Sequence, residues 1–432
     1  MHHCNQSTKL FDDTEEETMS LKGACIFGQS GGPTSVINAS AYGVFKEALE
    51  SDCITRVLGA AHGIKGVLKE ELYDISLEDP AELELLKSTP SSALGSCRYK
   101  LKDASVDDTD YKRILEVFKK YDVRYFFYNG GNDSMDTCNK ISKYLLAQGY
   151  ECRVIGVPKT IDNDLFGTDH CPGFGSAAKY IATSVMEVYR DAHVYDYGSI
   201  TVIECMGRNA GWLTAAASLA NLSGQGPDLI YLPETVFSLD RFVEDVKRCY
   251  EEKGGCIVAI SEGVHDENGT FIAEYASKAA GATDAFGHKQ MGGAAAFLAA
   301  ELNTRLGVKT RGLEFSLLQR CGAHVASKTD VEEAVLMGRE AVKAAVSGIT
   351  DKMVAIQREE GCEEYRPSVK LVDLTVTANT EHKFPLEWIT DNGTGISPEF
   401  VKYALPLIQG APDYRWENGL PRFAQLKKVL VK

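Results

Sequence analysis

The chain has 432 residues, of which 46 are basic and 61 acidic, giving a formal net charge of −15, and 44% of its residues are hydrophobic. This composition excludes an intrinsically disordered chain, and the lack of any run of about 18 apolar residues excludes a membrane-spanning one. The acidic balance argues against binding along a nucleic-acid backbone, which needs a basic face. The length predicts two or three domains.

The first 20 residues are polar and acidic. Five acidic side chains crowd into residues 12–17, and no apolar periodicity accompanies them, so we expect residues 1–20 to form a disordered acidic tail. No basic segment followed by an apolar run, the mark of a signal peptide, occurs there. Twelve cysteines are scattered without metal-binding spacing, which favours reduced thiols. We therefore expect a cytoplasmic protein.

Short apolar runs that each end in a polar turn recur along the chain. Such runs, separated by helical sequence, predict parallel strands covered on both faces. The predicted strands, each with its following turn, are 24–27 with 28–33, 125–128 with 129–134, 154–157 with 158–164, 200–204 with 206–208, and 257–260 with 261–263. Turns after parallel strands meet at one edge of a sheet, where α/β proteins bind ligands. From about residue 370, scattered prolines predict an irregular extension.

Two glycine pairs follow predicted strands. Gly31 and Gly32, like Gly130 and Gly131, allow backbone N–H groups to approach phosphate oxygens at the start of a helix. Each pair is equally consistent with a plain tight turn. The sequence contains neither a P-loop motif nor GxGxxG, which argues against a P-loop NTPase and against a dinucleotide-dependent dehydrogenase.

The turn at 158–164 carries the richest chemistry. It combines a cation, a hydroxyl and two carboxylates, which are the groups that phosphoryl transfer requires. The competing interpretation is an Asx-rich turn with solvated charges. Arg208 follows Gly207 and offers a planar guanidinium to an anionic ligand, although an isolated arginine there is also consistent with a surface ion pair.

Six segments together resemble the phosphofructokinase family over about residues 21–345. They are GQSGGPTSVIN at 28–38, GGNDS at 130–134, PKTIDND at 158–164, MGRNAGW at 206–212, SEG at 261–263 and LLQR at 317–320. The second and third look most like the pyrophosphate-dependent branch. The resemblance implies an α/β fold of two Rossmann-like three-layer domains with largely parallel sheets and an active site in the cleft between them. It implies a donor-binding domain (21–172 plus about 319–370), a sugar-phosphate-binding domain (173–318) and a C-terminal extension (about 371–432).

The resemblance also implies an activity and its residues. The activity is Mg²⁺-dependent, reversible phosphoryl transfer from pyrophosphate to the 1-hydroxyl of fructose 6-phosphate, in glycolysis, by a homodimer or homotetramer. The implied catalytic residues are Lys159, Thr160, Asp162 as general base, and Arg208. The implied donor-binding residues are Gly31, Gly32, Arg98, Gly130, Gly131, Asn132, Asp133 and Ser134. The implied sugar-phosphate contacts are Thr160, Asp162, Met206, Gly207, Arg208, Glu262, Arg320 and, from across a subunit boundary, Arg311; Mg²⁺ is assigned to Asp164 and Asn132.

Two positions favour pyrophosphate over ATP. Asp133 and Lys159 stand where ATP-dependent relatives have glycine. A carboxylate at the first position repels the α-phosphate of a nucleotide, while the lysine adds charge for a small tetra-anion. Each tenfold preference requires only about 1.4 kcal/mol.

Three positions depart from the family pattern. Asn132 stands where many members have Asp, and Leu317 and Ser199 stand where bacterial ATP enzymes have a His and an Arg at the sugar phosphate. Either His288 or Lys289 compensates, or the acceptor is a larger sugar such as sedoheptulose 7-phosphate. The resemblance is also compatible with an ATP-dependent 6-phosphofructokinase or with a non-catalytic regulatory subunit. The turn at 158–164, which holds the implied general base, is intact, and this favours a catalytic chain over a regulatory one.

Overall fold

The computed structural model describes residues 21–277, 293–359, 361–362, 364–378 and 380–431. The predicted acidic tail and the two compensating candidates, His288 and Lys289, lie outside these ranges. Among the described helices, none combines the length and the apolar character needed to span a bilayer.

The first part of the chain alternates strands and helices. Its elements are β1 (Gly23–Gln29), α1 (Ile37–Leu49), β2 (Ile54–Ala60), α2 (Ile64–Lys69), β3 (Leu72–Asp74), α3 (Pro80–Leu85), α4 (Thr109–Lys120), β4 (Val123–Gly130), α5 (Asn132–Ala147) and β5 (Arg153–Pro158). Short 3₁₀ turns lie at Ile75–Leu77 and Leu86–Ser88.

The middle of the chain repeats this alternation. Its elements are α6 (Phe174–Ala192), β6 (Ile200–Cys205), α7 (Trp212–Ala216), β7 (Leu229–Tyr231), α8 (Leu239–Lys253), β8 (Cys256–Ser261), α9 (Ile272–Ser277), α10 (Ala294–Leu306) and β9 (Thr310–Glu314). A 3₁₀ segment at Ala217–Ser223 continues α7.

The last part contains one long helix, a pair of seven-residue strands and several short elements. They are α11 (Leu318–Cys321), α12 (Lys328–Val346), β10 (Lys352–Arg358), β11 (Pro367–Asp373), α13 (Leu374–Thr377), β12 (Ile389–Thr390), β13 (Gly395–Ile396), α14 (Pro398–Ala404), β14 (Trp416–Glu417) and β15 (Leu420–Pro421). Further 3₁₀ turns lie at Ala323–Val325, Leu386–Trp388 and Leu405–Ile408.

Two larger sheets organise the described residues. The first has the order β11-β10-β5-β4-β1-β2-β3 and is parallel except at its two edge strands, β3 and β11. The second, β7-β8-β6-β9, is parallel throughout. All five predicted strands lie within β1, β4, β5, β6 and β8. The predicted α/β fold with largely parallel sheets is confirmed.

Apolar side chains cover both faces of the first sheet. Phe27 and Phe45 meet on one face, at 5.3 Å between ring centroids, while Phe118 and Phe126 meet on the other at 5.5 Å. Every residue of β1 is buried, which explains the unbroken apolar run at 24–27. Helices on both sides of a parallel sheet give the three-layer arrangement.

The C-terminal segment packs against both sheets rather than forming a separate core. Phe384 contacts Trp212 of α7 edge to face, at 5.1 Å, and Phe400 of α14 is fully buried beside them. Further on, the Val431 N–H donates to the Leu72 carbonyl at 2.9 Å and extends the edge of the first sheet. The extension therefore joins the second sheet's layer to the outer edge of the first.

Candidate active site

The turn after β5 supplies the central charged groups. Lys159 is 4% exposed, and its Nζ donates to the Gly32 carbonyl at 2.6 Å, so the turns after β5 and β1 are linked directly. The Asp162 N–H donates to Thr160 Oγ1 at 3.1 Å, which curls the turn and places its residues around one space.

That space is a cavity of about 190 Å³ at the junction of the two sheets. Its walls come from the turns after β1, β5, β6 and β8, together with Arg98 and α11. The lining residues are Gly32, Pro33, Arg98, Lys159, Thr160, Ile161, Asp162, Met206, Glu262 and Arg320. The cleft that the fold was expected to form therefore holds a basic cluster facing two carboxylates.

Burial shifts the pKa values of Asp162 and Lys159, two ionisable groups of this cavity, toward 7. Burial, and then the Glu262 charge, raise the pKa of Asp162 to about 6, although Lys159 and Arg320 oppose the shift. Burial lowers the pKa of Lys159 to about 8, because the attraction of Asp162 only partly offsets it. A carboxyl and an amine with pKa values on either side of 7 can exchange protons with bound reactants at neutral pH.

Glycine is required where the backbone approaches these groups. Gly31 has φ of +75°, and a Cβ there would lie 3.3 Å from Lys159 Nζ. A Cβ on Gly32 would lie 3.1 Å from Arg320 Nη1, and one on Gly130 would lie 2.0 Å from Ser134 Oγ. Larger residues would therefore fill the space beside the cations or distort the start of α5.

Hydrogen bonds from backbone N–H groups hold the side of the cavity that comes from the second sheet. The Met206 N–H donates to Gln319 Oε1 at 3.1 Å, and the Gly207 N–H donates to Glu262 Oε1 at 3.2 Å. Burial raises the pKa of Glu262, while Arg208 and Arg320 favour its charged form. Glu262 is thus oriented by its first oxygen, and its second oxygen is an acceptor available to a ligand.

An adjacent oxygen-rich group is suited to a divalent cation. Asn132 Nδ2 donates to Asp164 Oδ2 at 3.2 Å, and Asn132 Oδ1 is a buried acceptor with no hydrogen-bond donor among the described residues. Burial, reinforced by the charge of Asp162, raises the pKa of Asp164 to about 7. A bound cation would give Asn132 Oδ1 a partner and would stabilise the charged form of Asp164. Asp and Asn oxygens are the ligands that hard divalent ions take.

Three predicted site residues lie away from the cavity of Asp162. Arg208 is exposed and lines a neighbouring cavity of about 360 Å³, where its guanidinium lies 4.9 Å from the Phe271 ring centre. The Asp133 side chain is 88% exposed and lies 3.8 Å from Lys100 Nζ. Arg311 pairs with Asp191 at 3.2 Å on the surface strand β9.

The C-terminal extension contributes residues that sequence reasoning missed. Glu381 and Lys383 line both the cavity beside Arg208 and another, of about 460 Å³, beside Asn132. Glu381 also accepts a hydrogen bond from Asn209 Nδ2 at 3.1 Å. No motif marks this segment. Gln319, by contrast, stands within the recognised segment 317–320 and could have been found there.

A second group of metal-type side chains lies elsewhere in the chain. The ligand atoms of Asp228, Cys249 and Cys256 lie within 4.8 Å of one another. However, Lys253 Nζ already pairs with Asp228 Oδ1 at 2.7 Å, and its positive charge disfavours a cation. None of the eleven cysteines in the described ranges forms a disulfide bond.

The chain is similar to several known proteins along most of its length. The family model described as phosphofructokinase matches residues 25–314. A pyrophosphate–fructose 6-phosphate 1-phosphotransferase from Xanthomonas campestris pv. campestris (strain B100) is 46% identical over 416 residues, covering 95% of this chain and 97% of the relative. The enzyme of the same name from Halomonas elongata is 45% identical, covering 94% of this chain and 96% of the relative. The crystal structure of a pyrophosphate-dependent phosphofructokinase from Marinobacter aquaeolei superposes with a TM-score of 0.84 at 41% identity, covering 95% and 98% of the two chains. The chain belongs to the phosphofructokinase family.

Proposed function

We propose that this enzyme transfers a phosphoryl group from pyrophosphate to the 1-hydroxyl of fructose 6-phosphate, producing fructose 1,6-bisphosphate and phosphate. The observation that carries the proposal is one cavity that holds Asp162, Lys159 and Arg320 together. The relatives that are 46% and 45% identical over nearly the full chain are named for this reaction.

The residues of the cavity have different roles in the reaction. Asp162 accepts the proton of the 1-hydroxyl as that oxygen forms its bond to the transferred phosphorus. The bond from phosphorus to the bridging oxygen of pyrophosphate breaks, and phosphate leaves. Lys159 and Arg98 neutralise the transferred and departing phosphates, while Arg320 holds the 6-phosphate. Glu262 accepts hydrogen bonds from sugar hydroxyls, and Thr160 Oγ1 keeps the Asp162 backbone in place.

Phosphotransferases of this family use a divalent metal ion. We propose Mg²⁺, held by Asp164 and Asn132. The buried Asn132 Oδ1 has no hydrogen-bond donor within the described ranges, which fits an oxygen-coordinated cation. When bound, Mg²⁺ neutralises charge on the phosphoryl donor. Asp164 is kept beside Asn132 by their hydrogen bond, so the amide takes the place of the second carboxylate found in many members.

The charge distribution favours pyrophosphate as the donor. Lys159 fills the donor side of the cavity with a buried cation, which suits a compact, highly charged anion. Asp133, in the first turn of α5, adds negative charge where a nucleotide α-phosphate would lie. Gly130, Gly131 and Ser134 complete the donor side at the N-terminus of that helix, and Gly31 does so from the turn after β1.

The turn after β6 serves the sugar side of the site. Arg208 reaches the reacting phosphoryl group when both substrates are bound, and Met206 and Gly207 line the sugar.

Arg311 serves the site of a neighbouring copy in a homodimer or homotetramer. Residues 21–172 with about 319–370 bind the donor, and residues 173–318 bind the sugar phosphate. The reaction takes place in the cytoplasm.

A panel of donors and acceptors tests the activity. Purified full-length protein with a Mg²⁺ salt is assayed with pyrophosphate, ATP and ADP against fructose 6-phosphate and sedoheptulose 7-phosphate. We expect the highest kcat/KM for pyrophosphate with fructose 6-phosphate, and turnover of the same order in reverse from fructose 1,6-bisphosphate and phosphate. A rate with ATP equal to that with pyrophosphate would contradict the donor assignment.

A further inference from the structure

Asn163 stands between the proposed base, Asp162, and the proposed metal ligand, Asp164. Its backbone adopts φ of +57°, the left-handed region, and its side chain is fully buried. Both ends of the amide are engaged. Oδ1 accepts from the Cys171 N–H at 2.9 Å, and Nδ2 donates to the Tyr403 hydroxyl at 2.8 Å. Such a backbone conformation persists only where surrounding contacts hold it.

Tyr403 reaches this position from α14, 240 residues further along the chain. Its hydroxyl also donates to the Asp169 carbonyl at 2.8 Å. Tyr403 therefore bridges the turn after β5, which contains Asp162, and the segment that follows this turn. Arg358 fixes the tyrosine from the other side. Its Nη2 donates to the Tyr403 carbonyl at 3.0 Å, and its guanidinium lies 5.1 Å from the centre of the tyrosine ring.

The extension holds the next two residues of the turn as well. The His382 N–H donates to the Asp164 carbonyl at 2.8 Å, and Leu165 forms an antiparallel bridge with Glu381. Three consecutive residues that begin next to the base are therefore bound by one segment near the C-terminus.

We infer that the C-terminal extension positions the catalytic carboxylates, and that Tyr403 acts as a positioning residue through Asn163. The inference rests on the proposed function, in which Asp162 is the base. Without the Tyr403 hydroxyl, the Asn163 amide loses one anchor and the left-handed turn relaxes. A shift of about 1 Å in a reacting group can lower turnover about 100-fold without removing any group that binds substrate.

The first test is Tyr403→Phe in the full-length enzyme, which keeps the ring and removes the hydroxyl. We expect kcat to fall about 10- to 100-fold, with KM for pyrophosphate and fructose 6-phosphate within about threefold of wild type. The matched control is Tyr150→Phe, since the Tyr150 hydroxyl donates to two backbone carbonyls (Phe118 and Val123) far from the cavity. Its kcat should stay at the wild-type value.

The second test asks whether the effect passes through Asn163. Asn163→Gly keeps a residue that tolerates positive φ and removes the amide. We expect it to lower kcat by the same factor as Tyr403→Phe, and the double variant to be no slower than either single variant. Asn163→Gly leaves the hydrogen bond between the Tyr403 hydroxyl and the Asp169 carbonyl in place. It therefore tests the inference even if Tyr403→Phe is unstable.

The opposing results are distinct. A kcat for both Tyr403→Phe and Asn163→Gly equal to that of Tyr150→Phe, or losses that multiply in the double variant, would overturn the inference. Asp162→Asn is measured in parallel. If Asp162→Asn is inactive while those two variants are fully active, only the positioning role fails. If Asp162→Asn stays active, the proposed base assignment itself is wrong, and the inference that rests on it falls too.

Discussion

Lys159 Nζ donates a 2.6 Å hydrogen bond to the carbonyl of Gly32, and this bond joins the turns after two strands of the first sheet. The ammonium is buried at the wall of the cavity that holds Asp162. Burial lowers the pKa of Lys159 to about 8, and the nearby charges of Arg320 and Arg98 act in the same direction. The cation proposed to bind pyrophosphate is therefore charged at neutral pH but not far above it.

The kcat/KM for pyrophosphate should accordingly fall as the pH rises above about 8. An ordinary lysine stays protonated past pH 10, whereas this one loses its proton near pH 8, so at pH 9 we expect about a tenfold loss. Because kcat/KM reports on the free enzyme, initial rates at low pyrophosphate are the measurement. Lys159→Arg keeps a charge throughout and should lack this alkaline decline, while Lys159→Met should be poor at every pH. A wild-type profile that is flat to pH 9.5 would argue against a buried lysine cation.

Asp162→Asn removes the proposed base and almost no volume. We expect kcat to fall about 10²- to 10⁴-fold, because general-base catalysis contributes on that scale. Binding of fructose 6-phosphate, followed by calorimetry, should change only a few-fold. Asp240→Asn is the control, since that carboxylate is 91% exposed and pairs with Arg305 outside the cavity. Retention of activity within a few-fold would remove Asp162 from the base role.

Asp133→Gly should relax the discrimination against ATP. The Asp133 side chain is 88% exposed in the first turn of α5, so its replacement disturbs no packing. We expect the ratio of kcat/KM for ATP to that for pyrophosphate to rise at least tenfold, which corresponds to about 1.4 kcal/mol. Asp133→Glu retains the charge and should leave the ratio unchanged. An equal rise in both variants would show that side-chain shape, not charge, sets the preference.

The sequence predicted the parts of the site that follow strands. Apolar runs ending in polar turns identified the segments of Gly32, Lys159, Asp162 and Glu262, and the structure brings these four side chains or backbones to one cavity. The prediction succeeds for Gly32, Lys159 and Asp162 because parallel strands in one sheet end at the same edge, and Glu262 joins them from the corresponding edge of the second sheet. Local pattern and global geometry agree there.

The contacts of the extension could not be predicted in the same way. The hydrogen bond from Asn163 to Tyr403 spans 240 residues, and Tyr403 lies in a helix of seven residues with no recognised motif. Glu381 and Lys383 likewise stand in a segment without periodicity.

Arg208 shows the opposite case. Its motif was recognised, but the side chain lies in the neighbouring cavity, because a guanidinium on a long stem can turn to either side of a loop.

Phe400→Ala tests how firmly the extension is attached. Phe400 is fully buried, with ring centres 5.4 Å from Phe384 and 6.4 Å from Trp212. Removing a buried aromatic ring costs about 3–5 kcal/mol in the free energy of unfolding, and we expect a lower urea midpoint for this part of the protein. Phe423→Ala removes a ring that is 38% exposed and should cost much less. Equal midpoints for the two variants would mean that the extension is not anchored by this cluster.

His170 links stability to pH. The histidine is 1% exposed, and its ring nitrogens lie 2.8 Å from Asp169 Oδ1 and 2.6 Å from Glu333 Oε2. Burial alone would lower its pKa, but the charge of Glu333 and the hydrogen bond to Asp169 raise it from 6.5 to about 9. A group whose pKa is raised by folding stabilises the protein fully below the unfolded-state value and loses that contribution as the pH passes its folded-state value.

The free energy of unfolding of the wild type should therefore exceed that of His170→Gln most strongly below pH 6.5, and the difference should shrink as the pH rises to about 9. The shift corresponds to a pH-dependent part of this difference on the order of 3 kcal/mol. Urea unfolding of both proteins at intervals between pH 6 and pH 9.5 measures it, and comparing the two cancels groups that titrate alike in each. His193→Gln, at an exposed histidine that stacks on Tyr189, is the control for replacing an imidazole by an amide outside the buried cluster. If the His170→Gln difference grows with pH, the buried ring is neutral in the folded protein, and the ion pairs with Asp169 and Glu333 do not form.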